Sequence, residues 1–113
     1  MSDLYRLIIL PEAQNDIRNI ILYIARDLSA PHAALDLQNE FQRAISSLVE
    51  MPKRIKTVNE QPWKKAGVRK IIVKNYYIYF LVDDKEKAVK VISVIYVGRD
   101  QSKQLPDIQF RSK

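Results

Sequence analysis

Residues 68–98 read VRKIIVKNYYIYFLVDDKEKAVKVISVIYVG, and the fold follows from how this stretch is divided. Three runs rich in β-branched and aromatic residues, 68–74, 76–82 and 88–97, satisfy the composition of strands. The links between them are too short to cross a sheet face. Lys74-Asn75 is a tight turn, with Asn75 the residue suited to positive φ, and Asp83 to Lys87, DDKEK, is a polar turn. Short links force antiparallel neighbours, so the stretch predicts a β-meander. In the third run both alternating sets, Val89, Val91, Ser93, Ile95, Val97 and Lys90, Ile92, Val94, Tyr96, are largely apolar. That pattern belongs to a strand inside a sheet. Gly67 and Gly98 bracket the meander.

Upstream, the helical period takes over. Residues 4–10, LYRLIIL, form a further strand candidate that Pro11 ends, and Pro11 suits the first turn of a helix. Ala13, Ile17, Ile20, Ile21, Ile24 and Leu28 make one helical stripe, stopping near Asp27 or Leu28. Ser29 is the expected N-cap of a second helix with Pro31 just inside it. Ala34, Leu37, Phe41, Ala44, Ile45, Leu48 and Val49 repeat at three and four, and Pro52 sets the end by pushing Met51 out of the α region. The two stripes describe a helical hairpin that must rest on a sheet. Residues 52–67, PKRIKTVNEQPWKKAG, carry no period and read as a long loop. The order is β-α-α-β-β-β: an α+β domain, a helical hairpin on a small antiparallel sheet, spanning residues 1–100, with a polar tail over residues 101–113.

Composition narrows the function classes. The chain has 113 residues, enough for one domain, and 47% of them are apolar. It contains no Cys and one His, His32, which removes thiol chemistry and Cys- or His-rich metal sites. No metal or cofactor is expected. With no apolar run of about 18 residues and no leader pattern, no membrane is expected, and the setting reads as cytoplasmic.

The charge is uneven. Nineteen basic against 13 acidic residues give +6. Residues 52–77 alone hold eight cations (Lys53, Arg54, Lys56, Lys64, Lys65, Arg69, Lys70 and Lys74) against one acid, Glu60. That window is +7, so the remainder nets −1. Such a concentration attracts phosphates or carboxylates, although a solvated basic loop is the plain alternative. Trp63, inside the same window, either stacks on a base or plugs the open end of the helix–sheet core; a lone Trp favours the plug. Arg99 follows Gly98 at the end of the most apolar strand, where a cation could grip a phosphate or pair with Asp100. His32 reads as an exposed helix-start residue, and Asp83 and Asp84 as turn residues.

The hairpin DIRNIILYIARDLSAPHAALDLQNEFQRAISSLVEMP, with "YIA" before its second helix, and the strands with "NYYIYF" and "GRD" resemble the RelE/ParE superfamily of toxins from bacterial type II toxin–antitoxin modules. The likeness covers about residues 4–100. It implies growth inhibition and a cognate antitoxin, with oligomers forming through that partner. It leaves two targets. RelE-like members cut messenger RNA on the ribosome without a metal. For them the candidates here are Lys53, Arg54, Arg69 and Lys70 as phosphate clamps, Arg99 as transition-state stabiliser and Tyr96 as proton carrier. Val73 or Lys74 stands where the second-strand arginine of RelE would fall, and no Tyr follows Tyr96. These departures, with the long Ala-containing hairpin, favour the ParE-like alternative: an inhibitor of DNA gyrase with no chemistry of its own. Lys53, Arg54, Lys56, Lys64, Lys65 and Lys74 are the candidates for contacting the target. A basic nucleic-acid-binding module outside the family is the third reading.

Overall fold

The strand Ala88–Tyr96 (β4) lies inside the sheet and is covered on both faces, with seven of its nine residues buried. In the computed structural model, which describes residues 4–98, β4 is flanked by Arg6–Ile9 (β1) on one side and Tyr76–Asp83 (β3) on the other. Arg69–Val73 (β2) pairs with β3 and closes the order β1-β4-β3-β2. The meander is antiparallel, as its short links require. The sheet as a whole is mixed, which corrects the expectation of an antiparallel one: β1 runs parallel to β4, with Arg6 opposite Ala88 and Ile9 opposite Val91. The reason is the connection. A helical hairpin intervenes before the meander, so no tight turn dictates the direction of β1. In the β2–β3 turn, positive φ falls on Lys74 (55°) and not on Asn75.

A bulge between β3 and β4 sets which residues face where. Tyr79 lies opposite Ser93 and Phe80 opposite Val91, so Ile92 is an extra residue on β4. Val91 and Val94 consequently both face the helices, while Ile92 and Ile95 both face the other side. The backbone N–H of Val94 donates to the Asp16 carboxylate at 3.0 Å.

The helices Pro11–Leu22 (α1) and Pro31–Ser47 (α2) cover one face of the sheet. Both begin with Pro at the first turn, as expected. Phe41, Ile45 and Leu37 of α2 and Ala13 of α1 pack on Ile78, Phe80, Val89 and Val91. α1 ends by widening into a π turn at Tyr23–Asp27. Ser29 is not a cap. It takes φ 50°, which lets the Ala30 N–H reach the Ile24 carbonyl six residues back at 3.0 Å. Met51 is forced out of the α region before Pro52, into the left-handed one at φ 49°.

The stretch expected to be a loop contains a 3₁₀ turn at Pro52–Arg54 and a short helix, Trp63–Ala66 (α3). Trp63, 4% exposed, is a plug, but of the other face. It packs with Val58, Val68, Tyr79, Ile92 and Ile95 in a second cluster on the side of the sheet away from the hairpin. Arg99 and the tail lie outside the described residues.

Candidate functional site

The cations that stand together in sequence separate into two groups by what they bond. Lys53, Arg54 and Arg69 are bonded to the fold. Lys53 Nζ lies 2.8 Å from Asp84, whose carboxylate also accepts the Tyr5 hydroxyl at 3.0 Å. The hydrogen bond to Asp84 holds the Lys53 ammonium above its ordinary pKa, and the same bond, with the Tyr5 hydroxyl second, holds the Asp84 carboxyl below its own. Arg54 Nη1 donates to the carbonyls of Glu50 and Met51, at 2.6 and 3.2 Å, where the chain leaves α2. Arg69 Nη1 donates to the Ile55 carbonyl, and its Nε is buried with no hydrogen-bond partner among the described residues.

The second group is Lys56, Lys64, Lys65, Lys70 and Lys74. Among the described residues no carboxylate lies within 4 Å of any of them. Lys70 Nζ stands 4.2 Å above the Tyr77 ring and 5.9 Å from that of Tyr79, a cation–π contact on the face that Trp63 covers. Lys64 and Lys65 follow Trp63 in α3. Lys74 is the exposed turn residue between β2 and β3, and Lys56 is exposed in the preceding segment. Lys70 thus lies on the side of the sheet away from the hairpin, Lys64 and Lys65 belong to the helix that covers it, and Lys74 and Lys56 stand at the turn after β2 and beside the residue that bridges its start.

Strand alternation divides the candidate catalytic residues. Arg69 pairs with Phe80 and shares the helix side with Ile71 and Val73. Lys70 points to the opposite side. Tyr96 is on the helix side at the far end of β4, its ring 5.7 Å from Tyr76, which in turn meets Phe41 at 5.5 Å. Arg69, Lys70 and Tyr96 are therefore not brought together, and Arg99 lies outside the described residues. Burial raises the pKa of Tyr76, with Tyr96 and Tyr23 adding to it, and burial raises that of Tyr79 strongly. Both phenols move away from proton transfer near neutrality. His32 is exposed, as expected, and no group of three metal-ligating side chains is present among the described residues.

Sequence reasoning missed a cleft of about 770 Å³ between α1, the π turn and the end of β4. Asp16, Asn19, Tyr23, Leu28, Tyr76 and Tyr96 are among its walls, and Tyr23, Leu28 and Tyr96 are each about half exposed. Leu28 is the last residue of the first helical stripe in the sequence. Its exposure follows from the π turn, which rotates the residues after Leu22 off the α-helical face.

Comparison with known proteins bears on the fold and the family. Among solved structures, the chromosomal ParDE toxin–antitoxin system of P. aeruginosa contains a chain similar at 19% identity and TM-score 0.70, covering 85% of this chain and 99% of that one. The isolated RelE toxin of E. coli is similar at 18% identity and TM-score 0.57, with 88% and 92% covered. The RelBE2 toxin–antitoxin complex of Mycobacterium tuberculosis gives 16% identity and TM-score 0.57, with 82% and 98% covered. At these identities the likeness is one of fold. A search of curated proteins finds no match. The family model for the ParE toxin of the type II toxin–antitoxin system parDE matches residues 7–101, nearly the whole described chain, and this protein is accordingly a member of that toxin family.

Proposed function

We propose that the chain arrests growth as a ParE-like inhibitor of DNA gyrase in the cytoplasm, without chemistry of its own, and that a cognate antitoxin neutralises it. The observation that carries this reading is the division of the cationic and tyrosyl groups. Arg69 is spent on the Ile55 carbonyl on the helix side, Tyr96 packs on Tyr76, and Lys70 lies across the sheet. Metal-free cleavage of RNA needs cations and a proton carrier gathered around one phosphate. A binding protein needs only an accessible, complementary surface, and the five lysines around β2 supply one. The ParDE likeness supports the same choice.

The nuclease reading keeps one favourable observation, the half-buried Tyr77 ring with Lys70 Nζ 4.2 Å from its centre, a ring and a cation of the kind that stack a base and hold its phosphate. Two assays divide them. Purified protein added to a gyrase supercoiling reaction is expected to inhibit it. Primer extension on messenger RNA from a translating extract is expected to show no codon-positioned breaks. Breaks without gyrase inhibition would transfer the protein to the RelE-like class.

A further inference from the structure

The cleft between α1, the π turn and the end of β4 has its own chemistry. The chain carries 19 Lys and Arg residues, yet none of the eleven described residues that line the cleft is basic. The one charged group in its wall is the Asp16 carboxylate, which the Val94 N–H holds against β4 at 3.0 Å. Three tyrosines, Tyr23, Tyr76 and Tyr96, share that wall. The Tyr76 and Tyr96 rings lie 5.7 Å apart, inclined at 66°. Tyr23 and Tyr96 are each about half exposed, so a solute reaches both. Burial first, then Tyr96 and Tyr23, raises the pKa of Tyr76, so this phenol stays neutral. Ile24 and Leu28 add apolar surface.

We propose that this cleft is a binding site for a small organic cation, with an alkylated ammonium head among the Tyr23, Tyr76 and Tyr96 rings and an apolar body along Ile24 and Leu28. The face of an aromatic ring carries negative charge density. It therefore attracts a cation, and groups of such rings recognise alkylated ammonium ions in particular. Rings inclined to one another meet a rounded head from more than one direction. Asp16 adds a counter-charge, but the rings alone distinguish a cation from a neutral solute of the same shape. A volume of about 770 Å³ lies within the range of small-molecule sites and exceeds what one side chain of a partner would fill. An anion, nucleic-acid phosphate included, finds no cation in this wall and is repelled by Asp16. The site stands independently of the gyrase reading, which assigns these side chains no contact with the target.

The probes are choline, its uncharged carbon isostere with a tert-butyl group in place of the trimethylammonium, hexyltrimethylammonium and hexanoate, each titrated against the full chain. Choline is expected to bind at least about tenfold tighter than the isostere, a difference of roughly 1.4 kcal/mol. Hexyltrimethylammonium should bind tighter than choline, because its chain is buried along Ile24 and Leu28. In the proton spectrum the ring signals of Tyr23 and Tyr96 should shift with occupancy, and those of Tyr77, beside Lys70, should not. Tyr23→Leu keeps apolar bulk but removes a ring, so choline should weaken by about tenfold while the isostere changes little. Tyr23→Phe keeps the ring face and should stay within about threefold of the wild type. Equal affinity for choline and the isostere would make the cleft an apolar groove of the kind a protein segment fills, and overturns the proposal. Preference for hexanoate, or no binding by any probe, overturns it as well. So does choline binding that shifts Tyr77 in place of Tyr23 and Tyr96, or that survives Tyr23→Leu undiminished. Should Tyr23→Leu fail to fold, the choline–isostere comparison and the ring shifts of the wild type decide alone.

Discussion

A Cβ built on Gly98 would lie 2.5 Å from Cε2 of Tyr96, so the last tyrosine of β4 is folded back over the point where the chain leaves the sheet. The obstruction is a half-exposed side chain, not backbone, so the ring can swing aside. Gly98→Ala should therefore leave the fold intact but lose the Tyr96–Tyr76 edge contact, a pair of a kind contributing about 0.5–1.5 kcal/mol. Urea unfolding measures the loss, and the ring-proton shifts of Tyr76 and Tyr96 locate it. Unchanged shifts would show that the glycine does not position the ring. Gly67 is needed for a different reason: it sits at φ 84° with open space around its missing Cβ. Both glycines were legible as brackets of the meander. What each one does was not, because one depends on a conformation and the other on a ring returning from two residues away. The same limit applies to Arg69 and Lys70. Sequence counts them as equal cations, and alternation puts them on opposite sides. Which side carries the helices is a tertiary fact.

At the scale of elements, the long periodic segments were readable and the short or non-local ones were not. The helices and the meander strands reveal themselves because several repeats fit inside each. α3 has four residues, about one turn, too few for a period to register. The parallel docking of β1 depends on the hairpin's path and leaves no local trace. The role of α3 is nonetheless testable through Trp63. A stacking tryptophan at the surface could be removed at little cost, whereas the buried one here should cost about 3–5 kcal/mol as Trp63→Ala. Chemical denaturation decides between them, and Trp63→Phe should recover part of the loss. The β3–β4 turn makes a second prediction. The Glu86 backbone N–H, then Lys90, hold the Asp83 carboxyl below its ordinary pKa of 3.8, and Lys53, then Tyr5, do the same for Asp84. A depressed folded-state pKa gives stability that is complete above the unfolded value and is lost as pH falls through the folded one. Stability should therefore decline as acid is added below about pH 4, and Asp83→Asn with Asp84→Asn should flatten that decline. Asp84 is exposed and Asp83 half-buried, so the effect should shrink in high salt, more for Asp84.

Across the whole molecule the +6 charge serves two ends, and mutation can separate them. Lys53 and Arg54 fasten the segment between α2 and β2 to Asp84 and to the end of α2, and Arg69 of β2 holds the same segment at the Ile55 carbonyl. Lys56, Lys64 and Lys65 are exposed and, among the described residues, have no carboxylate within 4 Å. Replacing these three together with Gln should change stability by no more than about 0.5 kcal/mol, as for surface substitutions generally. It should still weaken gyrase inhibition, and the wild-type advantage should narrow as salt is raised, because the lost attraction is screened beyond about 10 Å at 0.1 M. Arg69→Gln should do the opposite. A half-buried guanidinium bonded to a carbonyl contributes through the fold, so its loss should lower the unfolding midpoint by an amount equivalent to about 1–3 kcal/mol. Inhibition per folded molecule should be unchanged. Equal inhibition by the triple variant and the wild type at low salt would mean that the free lysines do not face the target, and the charge asymmetry would then belong to solubility alone.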